Sequence, residues 1–282
     1  MTGKIVNIAG YRFVDLPDRD ALKNPLESVC LDLGLKGTIL LSNEGINFFV
    51  AGLQANVDAF IAYLERDERF TDIPLKVSYT TYQPFNRVNV RKKKEIISVG
   101  LDHIRPHENT GEEIEPQAFK AMLDAGQPVH VLDTRNDYEL RIGTFDNAID
   151  LDIRTFRAFP KAIEALPESM KDEPIVMFCT GGIRCEKASA IMMEAGFTNV
   201  KQLKGGVLGY FEQVGGEHWN GDCFVFDQRV AVNPSLEETE IVVCFACREP
   251  LSSEEQASED YVIGDSCPYC IGRTNVTPIS GQ

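Results

Sequence analysis

The fold of the middle of this chain is decided by one stretch, Ile175-Val-Met-Phe-Cys179-Thr-Gly-Gly-Ile-Arg184-Cys-Glu-Lys-Ala188. Four apolar residues that predict a buried strand lead directly into a cysteine, two glycines and the start of a helix. This order is typical of a parallel α/β sheet, where ligands bind at the carboxyl ends of the strands. We therefore expect Cys179 at the functional edge of such a sheet.

The loop after this strand has the composition of an anion-binding turn. Its glycines let the backbone curl so that successive N–H groups point at the cysteine sulfur, and the following helix N-terminus adds positive potential. These effects lower the pKa of a thiol, so we predict Cys179 as the catalytic residue. Arg184 is expected to add a positive charge at the rim. The predicted active-site loop consists of Thr180, Gly181, Gly182, Ile183 and Arg184.

Other residues near this loop are predicted to support it. A second strand, Val129 to Asp133, brings Asp133 to the same sheet edge, and Arg135 follows closely. We expect both to orient loops by hydrogen bonds, with substrate contact as the alternative for Arg135. Cys185 is either a resolving thiol or merely a small residue at the helix start.

The first hundred residues predict a different architecture. A β-branched and aromatic strand at residues 4–15 precedes a helical pattern that ends at Gly34, and a hairpin turns at residues 42–45. A second amphipathic helix and an alternating strand at residues 75–82 complete the order β-α-β-β-α-β. This order is that of a ferredoxin-like α+β sandwich.

The last sixty residues have few apolar side chains with which to build a core. They contain Cys244-x2-Cys247 and Cys267-x2-Cys270, separated by 19 residues, a spacing typical of two zinc knuckles. Four thiolates would form a closed tetrahedral site, which is structural and would stabilise this segment. The alternative is four reduced thiols without metal, or a labile disulfide.

The expected organisation thus has four parts within an α/β protein. They are a ferredoxin-like (acylphosphatase-like) domain at 1–95, a linker at 96–114, a parallel α/β domain at 115–220, and a small Cys-rich, zinc-binding tail at 221–282. Residues 92–105 are interpreted as a linker or an extra edge strand.

Charge is distributed unevenly over the 282 residues. The net charge is −15, yet residues 1–100 carry 13 basic against 12 acidic side chains. A basic run in this first part is the best candidate for phosphate contacts, although a solvated charged face is equally compatible with it. This run comprises Arg87, Arg91, Lys92, Lys93 and Lys94.

The sequence also indicates the cellular compartment and the classes of cofactor to expect. No apolar run approaches the length of a membrane span, and the first residues lack signal-peptide character, so we expect a cytoplasmic protein that binds no membrane. We recognise no flavin, NAD or catalytic-metal motif among its residues. Oligomeric state and protein partners are open.

The Cys179 loop resembles that of the rhodanese family. Three further segments of the chain share this resemblance, namely Leu132-Asp133-Thr134-Arg135, Tyr138-Glu139 and Leu203-Lys204-Gly205-Gly206. That resemblance implies a rhodanese-like domain in which Cys179 carries a persulfide cradled by backbone amides. Only four residues separate Cys179 from Arg184, whereas phosphate-binding cradles of phosphatases have five. The smaller loop suits sulfur better than phosphate.

Nearly the whole chain is similar to the bacterial rhodanese-containing tRNA uridine hydroxylases. The similarity includes residues 43–47, 85–97, 179–188 and 224–230. It implies that the chain makes 5-hydroxyuridine at the wobble position of the tRNA anticodon loop, with molecular oxygen and an unidentified electron donor as co-substrates.

Two other functions are open at this point. The rhodanese-like loop alone is compatible with a sulfurtransferase that passes sulfane sulfur to cyanide or a thiol. A sandwich with zinc knuckles is compatible with a non-enzymatic RNA-binding adaptor, although the sandwich lacks a clear K/R-G-F/Y-G/A-F stacking motif.

Overall fold

Residues 4–273, 276 and 278 are described by the computed structural model, in which the chain forms two units, 1–110 and 111–282. The first contains one sheet with two helices, and the second contains a parallel sheet with helices and a Cys-rich segment. The mixed architecture expected from the sequence is confirmed.

The first unit has the expected order of elements followed by one further strand. These elements are β1 (Ile5–Phe13), α1 (Arg19–Asp32), β2 (Lys36–Ser42), β3 (Gly45–Gly52), α2 (Gln54–Leu64), β4 (Lys76–Thr80) and β5 (Val88–Lys92). The sheet order is β4-β1-β3-β2-β5, antiparallel except that β5 runs parallel to β2. The extra edge strand lies earlier than the predicted residues 92–105, because Val88 and Val90 contribute apolar side chains to the core.

One face of this sheet packs on the two helices. Val6 and Ile8 of β1 and Phe48 of β3 belong to the same buried cluster as Leu26 of α1 and Phe60 of α2. Because strand residues alternate between faces, the intervening residues point to the opposite side.

The second unit begins with alternating strands and helices. Its elements up to residue 221 are β6 (Glu112–Ile114), α3 (Pro116–Asp124), β7 (His130–Asp133), α4 (Asp137–Leu140), β8 (Gly143–Phe145), α5 (Phe159–Ala162), β9 (Ile175–Phe178), α6 (Ile183–Glu194), β10 (Val200–Leu203), α7 (Gly206–Val214) and β11 (Trp219–Gly221). Short 3-10 turns occur at Glu68–Phe70 in the first unit and at Phe156–Ala158, Ile163–Ala165 and Glu168–Asp172 in the second.

The second sheet is parallel, with the order β6-β10-β9-β7. In the β7–β9 pairing, Asp133 lies opposite Phe178, the residue before Cys179. Asp133 and Cys179 therefore lie at the carboxyl ends of neighbouring strands.

The core of this unit continues past the predicted boundary at residue 220. Trp219 on β11 pairs with Phe145 on β8, and Cys223, Val225 and Val232 belong to the same buried cluster. The remaining elements are β12 (Cys223–Phe224), β13 (Ala231–Val232), β14 (Val242–Val243), β15 (Pro250–Leu251) and α8 (Ser253–Gln256). Among the described residues, no helix combines the length and apolar character needed to cross a bilayer.

Candidate active site

Cys179 follows β9 directly and is fully buried. Gly182, which precedes α6, adopts a φ of +102°, a conformation that favours glycine. This turn aims the backbone N–H of Gly182 at the Cys179 sulfur, with a nitrogen–sulfur distance of 3.1 Å. The loop thus donates a backbone hydrogen bond to the sulfur at the start of α6.

The pKa of Cys179 results from opposing effects. Burial raises it, whereas a hydrogen bond from the Cys185 thiol, the positive charge of Arg184, and the backbone N–H groups of Arg184 and Gly182 lower it. The lowering effects dominate and hold the pKa well below the ordinary 9.0 of cysteine. We infer that Cys179 is a thiolate at neutral pH.

Cys185 has the opposite character. Burial and the neighbouring Cys179 raise the pKa of the Cys185 thiol well above its ordinary value. Its sulfur lies 3.7 Å from the Thr134 hydroxyl oxygen. The negative charge therefore resides on Cys179, and the Cys185 thiol acts as a hydrogen-bond donor to it.

Arg184 is not at the rim, where the sequence placed it. Its guanidinium is buried and donates two hydrogen bonds to the Glu139 carboxylate, at 2.5 and 2.8 Å. The Thr180 hydroxyl also donates to this carboxylate, at 3.2 Å. Glu139 and Arg184 are 45 residues apart in the sequence, so no local pattern predicts their contact. The only sequence signal for Glu139 is its place in the Tyr138-Glu139 segment of the rhodanese resemblance.

Helix α7 supports the loop from the other side. The backbone N–H groups of Val207 and Leu208 donate to the carbonyl oxygens of Cys179 and Thr180, at 2.9 and 3.1 Å. Gly206 makes this approach possible, because a Cβ atom there would lie 2.3 Å from the Cys179 carbonyl oxygen. With its carbonyls held in this way, the loop keeps its N–H groups free for the sulfur.

The predicted supporting residues Asp133 and Arg135 are both buried and form an ion pair with each other. The Arg135 guanidinium donates to Asp133 at 2.6 Å and to the Gly143 carbonyl oxygen at 2.6 Å. It also lies 5.1 Å from the centroid of the Trp219 ring. These contacts tie β7 to β8 and β11.

Residues 224–226, which no local motif predicts as part of the site, contact the loop. The Thr180 hydroxyl lies 3.4 Å from the Phe224 carbonyl oxygen, and the Arg184 guanidinium lies 5.9 Å from the Phe226 ring centroid. The only sequence signal for this segment was its inclusion, as residues 224–230, in the family resemblance.

The four knuckle cysteines occur much later in the sequence than this loop, and their sulfur atoms lie close to one another. The sulfur atoms of Cys244, Cys247, Cys267 and Cys270 lie within 4.8 Å of one another, and all four residues are buried. Four buried sulfur ligands at this separation fit a tetrahedral metal ion. The group can therefore hold a structural metal.

The knuckles are anchored to the parallel domain by one buried carboxylate. Glu249 accepts a hydrogen bond from Arg141 at 2.6 Å and another from Arg154. The Arg141 guanidinium also stacks on Tyr269, 4.0 Å from its ring centroid. Arg154 in turn donates to Asp137 of α4 at 3.0 Å, so the contact reaches the helix that carries Glu139.

The basic run belongs to the first unit, and its members differ in their environments. Lys92 pairs with Asp20, and Lys94 pairs with Asp102, each at 2.8 Å. Lys93 is half-buried, and its carbonyl oxygen accepts a hydrogen bond from Arg19. Arg87 and Arg91 are exposed.

Two family models match the chain. One is described as a UPF0176 acylphosphatase like domain and matches residues 5–96, and the other is described as a Rhodanese-like domain and matches residues 115–213. A solved rhodanese-like domain from Anabaena sp. is 22% identical and covers 40% of this chain and 80% of that domain, with a TM-score of 0.33.

Curated relatives match over nearly the full length. The chain is 50% identical over 275 residues to the tRNA uridine(34) hydroxylase of Cupriavidus pinatubonensis, covering 96% of this chain and 98% of the relative. It is 48% identical over 275 residues to the tRNA uridine(34) hydroxylase of Burkholderia cenocepacia, covering 94% and 97% respectively.

Proposed function

The chain belongs to the tRNA uridine(34) hydroxylase family, and on this basis we propose that it converts the wobble uridine of tRNA to 5-hydroxyuridine. The observation that carries this proposal is the buried Cys179, with its lowered pKa, in a loop of backbone donors. The wobble base lies in a single-stranded loop, so an enzyme can extrude it at little unstacking cost. We propose the cytoplasm as the compartment in which the protein modifies tRNA.

The proposed reaction begins with nucleophilic attack. The Cys179 thiolate, or the outer sulfur of a Cys179 persulfide, adds to C6 of the uracil ring and gives C5 the character of an enolate carbon. A persulfide extends the reactive sulfur by one S–S bond, about 2.05 Å, which suits a thiol that is itself buried.

The proposed oxidation then occurs at C5. Molecular oxygen adds to C5 with uptake of one proton, and two electrons and two protons from an external donor reduce the resulting hydroperoxide to a hydroxyl and water. Loss of the C5 proton and departure of the sulfur from C6 restore the double bond of the ring. The net reaction consumes oxygen, two electrons and two protons for each 5-hydroxyuridine and water formed.

The protein residues have distinct roles in this proposal. Cys179 is the nucleophile, the loop from Thr180 to Arg184 stabilises its negative charge, and Cys185 donates a hydrogen bond to it. Glu139 fixes Arg184 beside the sulfur. We further propose Zn²⁺ as the metal of the four knuckle cysteines, where it would supply structural cross-linking only.

Nucleoside mass spectrometry of tRNA tests this function. A strain that lacks the gene should lose 5-hydroxyuridine, the wild-type gene should restore it, and Cys179→Ser should not. Restoration by Cys179→Ser would remove the cysteine from the mechanism. Sulfur transfer from thiosulfate to cyanide by a wild-type protein that leaves tRNA unmodified would instead support the sulfurtransferase alternative.

A further inference from the structure

The sheet of the first unit has a second face that the helices do not cover. On β1 and β3, the residues of the core cluster are even-numbered, Val6, Ile8, Ile46, Phe48 and Val50. The odd-numbered residues therefore point to the opposite face. On β2 and β5, the same alternation places Lys36, Thr38, Asn89 and Arg91 on that opposite face, next to β1 and β3.

Two aromatic rings lie on the central strands of this face. Tyr11 on β1 is opposite Asn47 on β3, and Phe49 on β3 is opposite Ala9 on β1. Tyr11 and Phe49 are thus diagonal neighbours, whose Cα atoms are about 7–8 Å apart in such a pairing. Both side chains are half-buried, so each presents part of its ring to solvent.

The charges of this face differ from those of the whole chain. Its strand positions include Lys36, Lys76 and Arg91, which are half-buried or exposed. No Asp or Glu occupies a described strand position on this face, although the net charge of the chain is −15. The face is therefore complementary to a polyanion.

Both ends of the face are covered by the chain itself. At one end the Asn47 side chain donates to the Ile96 carbonyl oxygen at 3.3 Å, and at the other Gln83 donates to the Ala51 carbonyl oxygen at 3.0 Å. Asn47 and Ala51 are buried, whereas Phe49 between them is half-buried. The open strip is therefore the row through Ala9 and Phe49. The partly exposed Tyr11, opposite Asn47, and the exposed Arg91, opposite Leu40, border this strip on the side of the Ile96 contact.

We propose that this strip binds single-stranded RNA, with bases stacked on Tyr11 and Phe49 and phosphates at Arg91, Lys36 and Lys76. Flat rings between cations are what single-stranded nucleic acid requires, because every base has a face that stacks and every linkage carries a negative charge. The identity of the strand as the anticodon loop rests on the proposed function. No linear motif marks this surface, because its two rings come from strands that are distant in sequence.

The full chain offers a matched control for this proposal. Tyr79 is 56% exposed on β4 of the same sheet, but it lies opposite Val6 and therefore on the helix side. We would measure binding of a fluorescein-labelled anticodon stem-loop RNA by fluorescence anisotropy at constant salt. Tyr11→Ala should weaken binding about 5- to 150-fold, the range expected for loss of one stacked base. Tyr79→Ala should bind as the wild type does.

A second readout reports stacking rather than folding. A 2-aminopurine in the loop of the RNA should lose fluorescence when the wild-type chain binds, and Tyr11→Phe, which keeps the ring, should retain both quenching and affinity. The proposal is wrong if the wild type does not bind the stem-loop, if Tyr11→Ala binds unchanged, or if Tyr79→Ala weakens binding equally.

These outcomes separate the surface from the reaction. Wild-type hydroxylation of tRNA with unchanged binding by Tyr11→Ala would overturn the surface and leave the proposed function. If Tyr11→Ala loses stacking but the wild-type protein forms no 5-hydroxyuridine, the RNA-binding surface would stand and the proposed function would be wrong.

Discussion

The Glu139 carboxylate and the Arg184 guanidinium form a bidentate ion pair, with side chains that are 0% and 2% exposed, beside the Cys179 loop. The pair joins α4 to the first turn of α6, so it fixes the helix that begins at the loop. Since both carboxylate oxygens bond to Arg184, the guanidinium acts on the Cys179 sulfur as a fixed charge.

The first prediction concerns the stability of this pair. Glu139→Gln leaves Arg184 buried without its carboxylate, so the free energy of unfolding should fall by roughly 3–5 kcal/mol. Urea denaturation at pH 7 measures this loss. Glu168→Gln is the control, because Glu168 is 84% exposed in its pair with Lys171. This substitution should lower the free energy of unfolding by at most about 1 kcal/mol. Equal losses in the two variants would contradict the prediction.

The Glu139–Arg184 pair also predicts that the free energy of unfolding depends on pH. Burial raises the pKa of Glu139, but Arg184 outweighs burial and holds the pKa below the ordinary 4.5 of glutamate. A depressed pKa contributes stability that is present above the unfolded value and is lost as the pH falls through the folded value. The advantage of the wild type over Glu139→Gln should therefore shrink below about pH 4.5.

Some of this site follows from the sequence and some does not. The Cys179 loop was predictable, because the strand, the glycines and the helix start are contiguous and determine the backbone locally. The contact of Glu139 with Arg184 was not, because the folding of α4 against α6 creates it. The difference between Arg91 and Lys92 likewise appears only once β5 is known, since alternation along that strand sends them to opposite faces.

The second prediction concerns Cys185. Cys185→Ala removes a hydrogen-bond donor to the Cys179 thiolate, so the pH profile of Cys179 alkylation should shift to higher pH. Cys185→Ser keeps a donor and should shift less, and it should also lose less tRNA modification than Cys179→Ser. Peptide mapping by mass spectrometry after iodoacetamide treatment gives the profile. A loss of activity in Cys185→Ser as complete as in Cys179→Ser would support a two-thiol cycle instead.

The third prediction concerns Gly206. In Gly206→Ala, the new Cβ would lie 2.3 Å from the Cys179 carbonyl oxygen and 2.7 Å from that of Thr180, so the loop must move. We expect at least a tenfold loss of tRNA hydroxylation, equivalent to about 1.4 kcal/mol or more in the barrier. Gly215→Ala is the control, because Gly215 also has a positive φ, +80°, but nothing lies within 4 Å of its Cβ position. Similar activity losses in both variants would show that backbone strain, rather than loop displacement, is responsible.

The fourth prediction concerns the metal. Protein purified under reducing conditions should contain one zinc per chain by elemental analysis, and Cys247→Ser should lose it. Limited proteolysis should then cleave within residues 240–273 while the first unit stays intact. Phe245→Ser, in the same loop at a 68% exposed position, should keep both zinc and protection. Absence of zinc from the wild-type protein would refute the proposed site.

The last prediction separates the members of the basic run. Arg91 is exposed on the open face of the sheet, whereas Lys92 pairs with Asp20 at 2.8 Å. Each phosphate contact contributes about one unit to the slope of log affinity against log salt concentration, so Arg91→Gln should flatten this slope by about one unit for tRNA. Lys92→Gln should change it less, because Asp20 already neutralises part of that charge.

Both substitutions are at the surface and should change the free energy of unfolding by no more than about 0.5 kcal/mol, so normal melting isolates the electrostatic effect. The triple variant with Lys92, Lys93 and Lys94 replaced by Glu extends the comparison, since it should weaken tRNA binding further by adding repulsion. If tRNA affinity and its salt dependence are unchanged in all three variants, the basic run is a solvated charged face. The docking surface would then be sought around Arg157, because Arg184 is held by Glu139 and Arg154 by Asp137 and Glu249.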